Sequence, residues 1–150
     1  MGTSRIRNPR ARWFASLMPV VAAGCGVSDA TVPALRIEMS SSQFKRDSTS
    51  LSAIIPLQLR NYDSLTVYVL GCGPRPMLTL QQWTGTGWQD RISPIGCISN
   101  PAPIALISGA TLADTERCAL VGTFRFTVSY GLNPSQPFDM PSTGSVFTVQ

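Results

Sequence analysis

Two stretches of the chain alternate regularly between apolar and polar side chains. In the first, the apolar positions are Leu51, Ala53, Ile55, Leu57 and Leu59. In the second, they are Phe124, Phe126, Val128 and Tyr130. A repeat of two predicts strands that bury one face. Pro56 cannot donate a hydrogen bond to a neighbouring strand, so we expect it to mark an edge strand or a bulge.

Weaker patterns predict further strands, separated by turn-forming residues. The strands are expected over 35–39, 65–70, 77–83, 88–92, 104–107, 110–120 and 145–149. The turns are expected at 61–64, 84–87 and 108–109, and the longer loops at 40–50, 98–103 and 131–143. Leu65 to Leu70 is almost wholly apolar, which is typical of a strand buried on both faces. Eight or nine short strands predict an all-β fold, an antiparallel immunoglobulin-like β-sandwich.

The first 24 residues have the layout of a secretory signal. Met1 to Arg12 is basic and contains no acid, and an apolar run from Trp13 to Ala23 is interrupted only by Ser16. This run is too short to cross a membrane as a permanent helix. We therefore interpret residues 1–24 as an N-terminal signal peptide of an exported protein.

A cysteine follows the small residues at the end of this segment. The sequence Ala22-Ala23-Gly24-Cys25 resembles the bacterial lipobox, although Ala22 stands where that motif usually has Leu. The resemblance implies lipidation of Cys25, a polar tether over 25–33, and a location in the cell envelope on a membrane. The strand pattern then places the sandwich over 34–150. The alternative is ordinary signal cleavage, which would give a soluble secreted or periplasmic protein with a Cys25 thiol.

The net charge of +4 is confined to the signal segment. Four of the 12 basic residues precede Trp13, and the remaining eight are balanced by the 8 acidic residues. Binding to nucleic acid requires clustered cations, and the basic residues after Trp13 are scattered singly. We therefore expect no nucleic-acid partner.

Four cysteines in an exported chain predict a disulfide. We favour a bond between Cys72 and Cys97, because both follow strand ends and enclose a hairpin that carries Trp83 and Trp88. Cys118 would then be a buried thiol. Pairings of Cys118 with Cys72 or Cys97 remain open, as does a pairing with Cys25 if that residue escapes lipidation.

The residue types exclude much of ordinary catalysis. The chain has no histidine, so Ser-His-Asp triads, Cys-His pairs and histidine-ligated metals are impossible. We predict no enzyme activity, no catalytic residue, no metal site and no cofactor. Three carboxylates, those of Asp90, Asp114 and Glu116, are expected on solvated strand faces. The two tryptophans are expected to cover one end of the core.

The order of these elements resembles a known group of proteins. A buried strand that runs into Cys72, a tryptophan hairpin, Cys97 and the sequence Gly122-Thr123-Phe124-Arg125 resemble small immunoglobulin-like bacterial envelope lipoproteins of unassigned function. More distantly, the chain is similar to the intracellular proteinase inhibitor family. The resemblance covers about 54–149, and it implies the fold and an envelope location.

Function is expected to lie in the loops or at a sheet edge. The predicted binding-loop residues are Asn100, Pro101, Pro103, Asn133, Pro134 and Pro137. We predict a noncatalytic binding or assembly module that meets another envelope protein and is held to the membrane by its N-terminal lipid. The alternative is a protease inhibitor that presents one proline-rich loop. The sequence gives no indication of an oligomeric state.

Overall fold

The computed structural model describes residues 33–92, 100–135 and 137–150, and every regular element in these ranges is a β-strand. The strands are β1 (Leu35–Met39), β2 (Gln43–Phe44), β3 (Ala53–Asn61), β4 (Val67–Cys72), β5 (Arg75–Pro76), β6 (Thr79–Trp83), β7 (Trp88–Ile92), β8 (Ala102–Leu106), β9 (Thr111–Cys118), β10 (Gly122–Gly131), β11 (Met140–Thr143) and β12 (Phe147–Val149). The predicted signal segment and Cys25 lie outside the described residues.

The first sheet contains three antiparallel strands in the order β1-β3-β9. In β3, alternate residues from Ala53 to Asn61 are buried, as the pattern predicts. Leu51 is an exception, because it precedes the strand, is exposed and has a positive φ of 53°. The first sheet therefore buries one face along the whole of β3.

The second sheet is organised around β10. Its first half pairs with β12 and β6, and its second half pairs with β11 and β4. The hairpin partner β7 extends β6, and β8 extends β4. All these pairings are antiparallel, whereas β2 joins β12 in parallel. The predicted all-β, immunoglobulin-like sandwich is confirmed.

The core lies between the two sheets. Phe124, Phe126 and Phe147 stack within it, with ring centroids of Phe126 and Phe147 5.3 Å apart. The buried hydroxyl of Ser142 in β11 donates a hydrogen bond of 2.6 Å to the carbonyl oxygen of Leu35 in β1. This bond joins the two sheets directly, and a buried hydroxyl group is thereby satisfied.

The sandwich has two distinct ends. At the end that we call the tether end, the chain enters at Ala34, whose carbonyl oxygen accepts a hydrogen bond from the Tyr62 N–H. The tether end also carries the turn at 107–110 and the loop at 131–139. At the opposite end, the far end, lie the loop at 40–52, the hairpin turn at 84–87 and the turn at 119–121. The strand registers place these segments. Strand β3 runs from Ala53 at the far end to Asn61 at the tether end, and the antiparallel β9 returns to Cys118 at the far end.

Several predicted boundaries were wrong. Gln43–Phe44 pairs with β12 inside a predicted loop, and Met140–Thr143 forms a strand inside the predicted loop 131–143. Pro103 lies in β8 opposite Leu70, so it belongs to a strand and not to the loop predicted at 98–103. The strand expected at 65–70 begins at Val67 and is fully buried on one face only. These pairings depend on distant partners, which local patterns do not report.

Pro56 does not mark an edge strand, because β3 is central in its sheet. The pairing of β3 with β1 ends where Leu57 opposes Met39. Pro56 therefore lies one residue beyond β1 and opposes only Thr115 of β9. A proline is tolerated there because the donor that it lacks is not needed on the β1 side.

Candidate functional site

An ionic cluster joins the two sheets at one side of the sandwich. Arg75 in β5 donates from Nε to Oδ1 of Asp114 and from Nη2 to Oε1 of Glu116, both at 3.0 Å. The same Nη2 donates to the carbonyl oxygen of Thr115 at 2.9 Å. The prediction that Asp114 and Glu116 lie on a solvated face was wrong, because the Asp114 side chain is only 7% exposed.

The electrostatic balance of this cluster is incomplete. One guanidinium faces two carboxylates, and Oδ2 of Asp114 is buried without a hydrogen-bond partner among the described residues. Burial raises the pKa of Glu116, and the neighbouring Asp114 carboxylate raises it further, while Arg75 acts in the opposite direction. Asp114 and Glu116 raise the pKa of Arg75 in turn. The described side-chain hydrogen bonds of Arg75 go to strand β9, so we interpret the cluster as a connection between the sheets.

Asn61 organises the tether end. Its side chain is fully buried, and Nδ2 donates to the carbonyl oxygens of Leu65 at 2.7 Å and Leu106 at 2.9 Å. Oδ1 accepts from the Asp63 N–H at 2.8 Å, which forms the turn predicted at 61–64. The buried amide thereby fixes two turns against the end of β3.

A charged and aromatic cluster lies beside this turn on the outer face of the first sheet. Arg36 and Arg60 oppose each other across β1 and β3, and their guanidinium carbons lie 4.4 and 4.9 Å from the ring centroid of Tyr62. The Tyr62 hydroxyl donates to Glu38, and this bond lowers the pKa of Glu38 and raises that of Tyr62. Contact with the ring offsets the repulsion between the two cations.

The two predicted binding loops do not meet at one end. Asn133, Pro134 and Pro137 lie in an exposed loop at the tether end, where Gly131 pairs with Tyr68. Asn100 and Pro101 are also exposed, but they precede the end of β8 that pairs with Gly71. Residues 98–99 lie outside the described residues. The structure therefore places these candidate residues in separate surfaces.

Exposed apolar side chains lie at both ends of the sandwich: Leu65, Ile107 and Leu132 at the tether end, and a second group at the far end, where sequence patterns gave no site. Leu51, Ile54, Leu120 and Val121 are 61, 55, 40 and 51% exposed. Arg46 Nη1 donates to the Ala119 carbonyl oxygen at 3.1 Å, which brings the loop at 40–52 to the turn at 119–121. Ile54 opposes Arg117 across β3 and β9. We call the surface formed by Arg46, Leu51, Ile54, Arg117, Leu120 and Val121 the far-end patch.

The outer face of the second sheet carries both polar and apolar side chains. It holds an open depression of ≈ 430 Å³ beside Arg125, which donates to Gln81 Oε1 at 2.8 Å and lies 4.3 Å from the ring centroid of Trp88. Trp83 and Trp88 pair across the hairpin with centroids 5.5 Å apart. Trp83 is 42% exposed, so the prediction that both rings cover the core was wrong.

The cysteines are only partly described. Cys118 is a buried free thiol, as predicted, and burial raises its pKa. Cys72 is not among the free thiols. Its predicted partner Cys97 lies outside the described residues, so the Cys72–Cys97 bond stays a prediction.

Metal-binding clusters and membrane-spanning helices are both absent from the described part of the chain. No group of three or more cysteine, aspartate or glutamate side chains is arranged there to hold a metal ion. No helix with the length and apolar character needed to span a bilayer occurs in those residues.

Comparison with solved structures relates the chain to distant domains. No family model matches it, and no curated protein matches its sequence. The CARDB domain of a Pyrococcus furiosus protein aligns at 9% identity and a TM-score of 0.35, covering 77% of this chain and 85% of that one. PapD-like domain 7 of human CEP192 aligns at 14% identity and a TM-score of 0.37, covering 87% and 94%. A Listeria innocua β-glucosidase aligns at 11% identity and a TM-score of 0.35, covering 77% of this chain and 16% of the enzyme.

Proposed function

We propose that the protein is a noncatalytic binding module of the bacterial cell envelope, anchored to a membrane by a lipid on Cys25. One observation supports this proposal: Ala34, where the described chain enters the sandwich, and the far-end patch lie at opposite ends of the sandwich. Between Cys25 and Pro33 the chain reaches at most about 28 Å when fully extended. The two ends are separated by the nine residues of β3, about 30 Å. An anchored domain therefore keeps its far end available to a partner.

The exposed apolar side chains support binding in preference to catalysis. Leucine and isoleucine side chains that stay in water at one site lose the stabilisation that burial would give them, about 25 cal/mol for each Å². A group of them beside a charged border is typical of protein interfaces. The chain also lacks histidine, which removes the usual general base.

Lipid attachment is tested by metabolic labelling with a fatty-acid analogue, followed by membrane fractionation. We expect label on the wild-type chain and none on Cys25→Ser. Any Cys25→Ser protein that has lost its signal segment should be absent from the membrane fraction. Cys118→Ser serves as the control and should keep its label. Unlabelled wild-type protein, or equal label on Cys25→Ser, would contradict the proposal and leave the soluble secreted alternative.

A protease inhibitor remains the second candidate. Residues 132–135 and 137 of the loop at 131–139 are exposed, and the loop folds back so that the backbone of Pro137 and the ring of Phe138 pack near Gly131. A loop that is already ordered loses less entropy on binding. Incubation with a panel of proteases decides the matter, since inhibition requires at least one protease to be slowed while the loop stays intact.

A further inference from the structure

The far-end patch has an apolar centre and a basic border. Lys45, Arg46 and Arg117 lie there, and the single acid of the adjoining loop is Asp47. The Asp47 carboxylate accepts hydrogen bonds from the N–H groups of Thr49 and Ser50, at 3.0 and 2.7 Å. These bonds lower the pKa of Asp47, so its carboxylate stays charged and offsets one of the three cations.

The tether end has the opposite balance. Arg36 and Arg60 are accompanied there by Glu38, Asp63 and Asp139. A chain that is neutral after its signal segment thus separates its charge along the length of the sandwich. The tether end also exposes apolar side chains, but among the described residues only the far end combines them with an excess of positive charge.

We infer that the far-end patch binds an acidic protein surface, with Leu51, Ile54, Leu120 and Val121 at the centre and Arg46 and Arg117 at the border. This inference rests on the proposed function, since it names the chemistry of the partner. An interface with a dry apolar centre and a charged border has the usual anatomy of protein recognition. Opposite charge at the border raises the rate of association and excludes basic partners.

Other occupants fit these residues less well. A nucleic acid or an anionic glycan would be held by many phosphate or carboxylate contacts, and the patch offers only two or three cations around four apolar side chains. A second copy would bring the same basic border against itself if the two patches met face to face, and like charges would then repel.

The inference is tested with a photo-crosslinking amino acid at position 121 of the full chain in cells that produce it. We expect a crosslink to another protein, at a peptide rich in aspartate and glutamate. Arg46→Glu combined with Arg117→Glu should lower the yield about tenfold or more, because the border then repels the partner. Arg36→Glu combined with Arg60→Glu reverses the same charge at the tether end and should leave the yield unchanged.

Folding is checked in parallel: both double variants should retain the circular dichroism spectrum of the wild type, and both should melt at a somewhat lower temperature, because one loses the bond of Arg46 to Ala119 and the other the contacts of Arg36 and Arg60 with Tyr62. Three results would overturn the inference: no crosslink from position 121, crosslinks only to glycan, lipid or copies of this chain, or an equal yield from the far-end double variant. Crosslinking is scored independently of fatty-acid labelling. Failure of the lipid anchor is therefore distinguishable from failure of the partner assignment.

Discussion

Arg75 Nε lies 3.0 Å from Oδ1 of Asp114, and this bond joins the β4–β5 hairpin of the second sheet to the edge strand of the first. The two partners differ in their surroundings, because the arginine side chain is 52% exposed and the aspartate 7%. The half-exposed guanidinium of Arg75 therefore compensates the charge of the buried carboxylate of Asp114.

Removal of the cation should destabilise the fold. We expect Arg75→Met to lower the free energy of unfolding by about 2 kcal/mol, because it leaves two carboxylates without a counterion but the arginine itself is half solvated. Urea unfolding measures the change. Arg117→Met is the control, with an expected change within about 0.5 kcal/mol. Equal losses in the two variants would mean that the bonds of Arg75 to β9 contribute nothing.

Glu116 should make stability depend on pH. Its pKa lies above the ordinary value of 4.5, so the folded state holds this proton more tightly than the unfolded state does. The contribution of Glu116 to stability therefore falls as pH rises through the interval above 4.5. We expect Glu116→Gln to be more stable than the wild type at pH 7 and equal to it near pH 4. Glu38→Gln should instead be less stable than the wild type at pH 7, because the pKa of Glu38 is lowered and its charged form stabilises the fold.

Asn61 should be one of the most sensitive polar positions. Asn61→Ala removes two donors and leaves the carbonyl oxygens of Leu65 and Leu106 unsatisfied, so we expect a loss of about 2 to 4 kcal/mol. Thermal or urea unfolding measures it. Asn133→Ala removes one bond in an exposed turn and should cost less than about 1 kcal/mol. A small effect at Asn61 would show that water replaces the amide.

Substitution of Leu51 should lower binding without lowering stability. A leucine with a φ of 53° is strained, whereas asparagine adopts this conformation readily. We expect Leu51→Asn to keep or raise the melting temperature, with a gain of up to about 1 kcal/mol. The same variant should reduce crosslinking from position 121, because the apolar centre of the far-end patch is smaller. A loss of stability would indicate that Leu51 packs within the fold.

Peptide mapping without reduction should recover a Cys72–Cys97 peptide. Closing this loop of about 25 residues stabilises the fold by roughly 3.5 kcal/mol in the chain-entropy model. Cys118 should react with a thiol reagent only on unfolding, because it is buried and its pKa is raised. A peptide that joins Cys118 to Cys72 or Cys97 would refute this assignment.

Sequence patterns predicted the long strands well and the ionic cluster poorly. The alternation in β3 and β10 follows from burial of one face, which is a local property of the chain. Asp114 and Glu116 share their face with Leu112 and with the buried Cys118, so the same alternation contained a sign that both carboxylates point inward. No local pattern indicates that Arg75, about 40 positions earlier, would meet them.

The candidate binding surface could not be predicted from sequence patterns either. Proline-rich loops suggested binding residues at 100–103 and 133–137, but Pro103 belongs to a strand and the two loops lie apart. The far-end patch combines residues from two separate stretches of the chain, 46–54 and 117–121, around the contact of Arg46 with Ala119. Only the folded chain brings such residues together.

Both backbone polar groups of Thr115 in β9 are hydrogen-bonded to side chains of the same domain. The N–H of Thr115 donates to Asp114 Oδ1 at 2.8 Å, and its carbonyl oxygen accepts from Arg75 at 2.9 Å. An exposed edge strand normally offers such groups as a template for another strand. Here the middle of β9 is already occupied by side chains of its own domain. Crowded copies on a surface should therefore remain separate and resist the edge-to-edge polymerisation that leads to fibres.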